Sequence, residues 1–187
     1  MFRILRNPAC QRFFNTFVSI IKHQGQRVAV LVDVQNMYHS AKNLYNSRVN
    51  FKEVLRSAVG DRQLIRAMAY VIRTEAGDEK PFLEALTKIG IQTQIKDLQI
   101  FPGGMKKADW DVGLAMDAVR IASKVDAIVI VSGDGDFVPL LEYLRQVQGI
   151  QTEVMAFGRS ASQKLKEAAE DFIDLGADQK KYLMKIR

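Results

Sequence analysis

Val28-Ala29-Val30-Leu31-Val32-Asp33-Val34-Gln35-Asn36 is the stretch that decides the fold. Its first five residues are an unbroken apolar run, mostly β-branched, that stops at an aspartate. A run without polar alternation reads as a strand covered on both faces, as in a parallel sheet. Asp33 then stands at the carboxyl end of that strand.

Working outward, strands and helices alternate. Asn36–Tyr45 and Phe51–Ser57 read as helices, and Leu64–Arg73 as a second strand. Glu79–Lys88 is a helix that tolerates Pro81 because it falls in the first turn. Ile91–Phe101 is a third strand, broken by Pro102-Gly103-Gly104. A helix from Trp110 to Ser123 is apolar on most sides, which predicts that it is deeply packed. Asp126–Val131 is a fourth strand and Val138–Gln148 a helix. Thr152–Phe157 is a fifth strand, followed by a helix over Ser162–Ala169 and a short strand over Phe172–Leu175. This order predicts an α/β fold, a Rossmann-like and mostly parallel β-sheet flanked by helices. The domain spans 27–175, between a basic extension (1–26) and a basic tail (176–187) expected on the surface.

The 187 residues are 48% hydrophobic and 26% charged, ordinary for a globular chain, and the net charge of +6 favours an anionic partner. A non-specifically basic surface would give the same balance. Cys10 is the only cysteine, so no intrachain disulfide forms and nothing points to an oxidising compartment; a cytoplasmic location is expected. His23 and His39 are too few and too far apart for a zinc cluster, so a bound metal would take oxygen ligands. No apolar run spans a membrane, which argues against integral membrane association. Residues 1–32 lack Asp and Glu, and Phe13, Phe14, Phe17, Val18, Ile20 and Ile21 recur at helical spacing among basic residues. That segment reads as an amphipathic helix on a membrane or nucleic acid, an organelle-targeting segment, or an extra helix packed on the domain.

The chemistry gathers at strand ends. Asp33 follows the first strand, and Ser132-Gly133-Asp134-Gly135-Asp136-Phe137 follows the fourth. If the strand order is 3-2-1-4-5, these strands are neighbours where the order reverses, and their aspartates would converge on one crevice. Gly133 and Gly135 would let the loop turn tightly and admit a ligand to the backbone. Two carboxylates about 4 Å apart repel by roughly 4 kcal/mol at an effective dielectric near 20. A hard divalent cation, magnesium or manganese, removes that cost, and beside a phosphate it can serve hydrolysis. Taken alone, each aspartate is also a good helix cap or turn residue.

Val-Asp-Val-Gln-Asn (32–36), Lys-Ala-Asp-Trp-Asp-Val-Gly-Leu-Ala-Met-Asp (107–117) and Ser-Gly-Asp-Gly-Asp-Phe (132–137) resemble successive signatures of the NYN family. The resemblance, closest to the LabA-like branch of these PIN-like proteins, runs from about Arg27 to Leu175. It implies a PIN-like fold and a magnesium- or manganese-dependent ribonuclease acting on single-stranded RNA. Carried over, Asp33, Asp111, Asp134 and Asp136 are the catalytic and metal-ligating acids, and Asn36 orients the first of them or touches substrate. Asp109-Trp110-Asp111 replaces the family's usual Gly-Val-Asp, which leaves Asp109 open as an alternative to Asp111; Asp109 could instead cap the helix. Asp117 also matches, but lies six residues on and points elsewhere on an ideal helix, as a supporting acid would.

Ser132 could bond a phosphate or a ligating carboxylate, or simply form the turn. Lys106 and Lys107 stand beside the site as phosphate contacts or as solvated lysines, and Arg159 and Lys164 are weaker candidates of the same kind. Trp110 and Phe137 could stack bases or pack at helix ends. A non-catalytic RNA-binding or regulatory module would keep the same fold without needing all the acids, and a homo-oligomer is compatible with either function.

Overall fold

A computed structural model describes residues 20, 22–73, 79–97, 99–100, 106–107 and 110–185. Most of the basic extension, Pro102-Gly103-Gly104 and Asp109 lie outside the described residues, as do the side chains of Lys106 and Lys107.

The chain begins with β1 (Arg27–Asp33), α1 (Val34–Tyr45), β2 (Ser47–Val49) and α2 (Phe51–Val59). It continues through β3 (Gln63–Arg73), α3 (Lys80–Lys88), β4 (Gln92–Asp97), β5 (Gln99–Ile100) and β6 (Lys106–Lys107). Then come α4 (Asp111–Ala122), β7 (Ala127–Val131), α5 (Val138–Gln146) and β8 (Gln151–Ala156). The last elements are α6 (Gln163–Ala168), β9 (Asp171–Asp174), α7 (Gln179–Tyr182) and β10 (Leu183–Lys185).

Six strands form one parallel sheet in the order β4-β3-β1-β7-β8-β9. Numbering only these strands along the chain gives 3-2-1-4-5-6, the expected order with the short last strand added at the edge. The expected third strand over 91–101 is divided into β4 and β5, and β5 instead pairs antiparallel with β6.

The central strands feed two cores. Val28, Val30 and Val32 of β1 face α1, α2 and α3, packing with Met37, Val54 and Leu86. Ala29 and Leu31 face the other layer, with Leu114 of α4, Leu141 of α5 and Leu165 of α6. Burying both faces is what the unbroken apolar run requires, at about 1.5–3 kcal/mol for each large side chain removed from water.

Two expectations need correction. Helix α4 buries only one stripe, Leu114, Ala118, Ile121 and Ala122. Val112 stays 74% and Met116 47% exposed, because the helix lies on β1 and β7 with α5 beside it, leaving its outer face uncovered. Nor is 176–187 simply a surface tail. Tyr182 is buried, its hydroxyl donates to Ser57 Oγ at 3.1 Å, and its carbonyl accepts the Asn50 N–H at 2.8 Å. β10 then pairs antiparallel with β2, a strand too short to leave a sequence pattern.

At the amino ends of the strands, Arg62 and Glu153 form a buried ion pair. Gln26 and Gln151 complete its hydrogen bonding, and Lys22 reaches both Glu153 (2.8 Å) and Asp171 (2.7 Å).

Candidate metal centre

β1 and β7 are neighbours, and the chain order reverses between them. The segments leaving their carboxyl ends diverge and open a crevice. Asp33 arrives there on β1 and Ser132 to Phe137 on the loop after β7.

Asp33 keeps extended backbone (φ −80°, ψ 94°) and caps α1, its Oδ1 accepting the Asn36 N–H at 3.0 Å. This cap starts α1 at Val34, two residues before the expected start. Asp33 Oδ2 accepts the Ser132 hydroxyl at 3.0 Å, and Ser132 Oγ accepts the Asp134 N–H at 3.2 Å. Asn36 crosses to the same loop, its Oδ1 accepting the Gly133 N–H at 2.9 Å. Asp134 in turn accepts the Asp136 N–H at 3.0 Å and caps the 3-10 turn Gly135–Phe137. The two sides of the switch point are therefore held in register by neutral donors. Ser132 is wholly buried, so its hydroxyl serves the Asp33 carboxylate and its own loop.

Gly133 and Gly135 do not owe their small size to a left-handed turn. Neither has a positive φ. A Cβ on Gly133 would stand 3.1 Å from Ala161 Cα, and one on Gly135 2.7 Å from Ser162 Oγ. The loop is pressed against the segment before α6, where the Ser162 N–H donates to the Gly133 carbonyl at 2.9 Å.

Asp111 is the first residue of α4. Carboxylate oxygens of Asp111, Asp134 and Asp136 all lie within 4.8 Å of one another. Asp111 and Asp134 are half-buried and Asp136 is exposed. Asp33 stands outside this trio but lines the same cavity, about 300 Å³, as Asp111 and Asp134. Burial pushes the Asp33 carboxyl above its ordinary range, the Asn36 N–H and Ser132 hydroxyl pull it down, and the charge of Asp134 adds to the rise.

Tyr70, Ile72 and Trp110 also line the cavity, and α1 contributes Gln35, His39 and Ser40. Tyr70 is buried on β3 and donates to Asp117 at 3.0 Å; Arg120 binds the other oxygen of Asp117 at 3.2 Å. Burial, with the Asp117 carboxylate beside it, holds the phenol protonated far above its usual range. Asp117 thus sits behind the cavity wall and steadies it. Trp110 donates Nε1–H to the Val71 carbonyl at 3.0 Å and packs at 5.6 Å from the Tyr70 ring. A Cβ on Gly113 would fall 2.5 Å from that indole, so glycine is needed there. Phe137 is a core residue, 2% exposed.

Lys106 and Lys107 lie on β6, with side chains outside the description. Arg159 and Lys164 are exposed after β8. Sequence reasoning did not identify Tyr70, Ile72 or His39 as lining the cavity. The available signal was position: Tyr70 and Ile72 end the strand beside β1, and His39 lies one turn beyond the Asn36 that faces the loop.

Residues 27–176 match the NYN domain family. The chain is 27% identical over 164 residues to low amplitude and bright protein LabA of Synechococcus elongatus, covering 80% of this chain and 83% of LabA. A crystal structure of a protein of unknown function from Vibrio parahaemolyticus has a TM-score of 0.79 and 31% identity, over 88% of this chain and 100% of that one. On a match over residues 27–176, which takes in the switch point and its acids, the chain belongs to the NYN domain family.

Proposed function

We propose that this protein is a metal-dependent endoribonuclease that hydrolyses RNA phosphodiester bonds at the aspartate-lined crevice, with magnesium or manganese as cofactor. One observation carries the reading: Asp111, Asp134 and Asp136 bring carboxylate oxygens within 4.8 Å of one another where the sheet order reverses. Membership of a family of nuclease-like character supports it.

The donor set fits such an ion. All its atoms are hard oxygens, and oxygens sharing one magnesium at about 2.1 Å lie at most about 4.2 Å apart. The three carboxylates need only a small contraction from their present spacing. When bound, the ion supplies positive charge for the phosphate and lowers the pKa of a water molecule.

The chain's own residues supply the rest. Asp111, Asp134 and Asp136 would hold the metal, with Asp33 as the acid that completes the site from β1. Ser132 and Asn36 fix Asp33 and the Gly133 loop, so the acids on these two segments are held close to the positions the ion would need. Tyr70, Ile72 and Trp110 present an apolar wall that excludes water from one side of the cavity. In the reaction a water oxygen bonds to phosphorus, the bond from phosphorus to the leaving ribose oxygen breaks, and that oxygen takes up a proton. Water is the nucleophile this site favours, since Ser132 is bonded to Asp33 and buried.

The test is cleavage of labelled RNA and DNA with manganese or EDTA, comparing wild type with Asp134→Asn. Wild type should cut RNA only with metal, and the variant should lose at least about 100-fold, more than a supporting residue costs. RNA binding without cleavage under every metal condition would give the function to the non-catalytic module instead.

A further inference from the structure

Helix α1 carries a second feature beside the acids. Its buried face is Val34, Met37, Ser40 and Ala41. Gln35, Tyr38, His39 and Lys42 recur at helical spacing on another face, and all four are exposed. Gln35 and His39 line the acid cavity, so the stripe begins inside the site and leads away from it by about 10 Å of helical rise.

These side chains support one another. Tyr38, 48% exposed, meets the His39 ring edge-on at 5.4 Å. Lys42 Nζ lies 5.5 Å from the centre of the Tyr38 ring and 3.3 Å from its hydroxyl. The helix contains no acidic residue, although it starts beside the cavity lined by Asp33, Asp111 and Asp134. An open aromatic face held beside an ammonium group suits a nucleobase followed by a phosphate.

We infer that this face of α1 is the track for the single-stranded RNA flanking the bond to be cut, with a base stacked on Tyr38 and the next phosphate at Lys42. The inference rests on the RNA reading above and adds where the strand runs. Tyr38 and Lys42 are binding residues here, remote from the reacting atoms.

The experiment measures binding of the full chain to a labelled, unstructured RNA oligonucleotide in EDTA, over a range of salt. Tyr38→Ala should weaken binding about 5- to 100-fold, and Tyr38→Phe, which keeps the ring, should restore it. Lys42→Ala should flatten the dependence of log affinity on log salt by about 0.7, the loss of one single-strand phosphate contact. A lysine acting only on the helix dipole would change the melting temperature and leave the salt slope alone. Tyr143→Ala on α5 and Lys124→Ala, beyond the far end of α4, are exposed controls and should bind as wild type does.

If wild type binds RNA and Tyr38→Ala and Lys42→Ala bind equally well, the track is overturned and the nuclease reading stands. Equal weakening by the two controls also overturns it. Wild type that fails to bind in EDTA yet cleaves RNA with manganese overturns the track alone. Failure both to bind and to cleave removes the track and the nuclease reading together.

Discussion

The two ends of the central sheet treat charge in opposite ways. At the amino end Arg62 and Glu153 are both buried, and each finds an opposite charge, with Lys22 adding a second cation to Glu153. Nearby, Arg27 holds Asp126 at 2.7 Å. At the carboxyl end, Asp33, Asp134 and Asp136 gather with no cationic side chain paired to them among the described residues. Backbone N–H groups and one serine hydroxyl hydrogen-bond to them instead. Paired charge at one end serves the fold. Collected like charge at the other opposes the fold, and is consistent with a cation from solution completing the site.

The largest effect expected from this contrast is at the paired end. Arg62→Ala would leave the buried Glu153 side chain with Lys22 and Gln151 as its remaining partners, and should cost about 3–5 kcal/mol of stability. Urea melts without metal measure this. Asp134→Asn under the same conditions should lose little or nothing, since it removes a repelling charge and keeps an acceptor for the Asp136 N–H. A loss below about 1 kcal/mol for Arg62→Ala would show that the amino-end pair is as dispensable as a surface ion pair.

Manganese should act at the other end only. At one hundred times its dissociation constant a ligand bound only by the native state adds about 2.7 kcal/mol. For a chain of this size that raises the melting temperature by roughly 5–10 °C. Asp134→Asn should lose most of that increment, whereas Arg62→Ala should melt lower but keep it. Identical wild-type melts in EDTA and in manganese would remove the metal centre and leave the acid cluster without an account.

The same contrast explains what could be read in the sequence. Strand order was legible because β1 and β7 are continuous apolar runs whose burial admits few alternatives, and the acids were legible because each ends such a run. Asp111 could be placed only through resemblance, because it reaches the site by way of α4. Arg62 and Glu153 were invisible: they are 91 positions apart and sit in ordinary local contexts, and only the packing of α2 against the sheet joins them. Tyr182 was hidden likewise, in a basic segment whose composition suggests solvent while one aromatic anchors it to α2. The exposed face of α4 was hidden because apolar residues occur on both sides of the helix, with Val112 and Met116 one turn apart on the outside.

The smallest effect, and the one that best separates the two ends, is the pH dependence of two aspartate-to-asparagine changes in metal-free protein. Burial holds the folded Asp33 carboxyl above its ordinary value of 3.8. The unfolded chain therefore loses this proton first as pH rises, and the folded state is penalised progressively until its own carboxyl ionises. The contribution of Asp33 is thus most favourable in acid and least favourable at neutral pH. The Asp33→Asn side chain would still cap α1, since asparagine and aspartate cap comparably, and adjusting the bond to Ser132 costs a pH-independent ~1 kcal/mol. Relative to wild type, Asp33→Asn should be at its most stable at neutral pH, and the advantage should shrink as pH falls toward 3.8. Asp126 should give the opposite sign. The Arg27 side chain and backbone N–H hold it down to about 2, so its stabilisation is present above 3.8 and disappears as pH drops through the folded value. Asp126→Asn should accordingly be less stable than wild type at neutral pH, with the deficit closing in acid. The comparison is read from urea melts of the three proteins across the carboxylate range. If Asp33→Asn instead loses stability at neutral pH and recovers it in acid, as Asp126→Asn should, then the bonds from Asn36 and Ser132 outweigh burial. The carboxyl end of the sheet would then be as well compensated as the amino end.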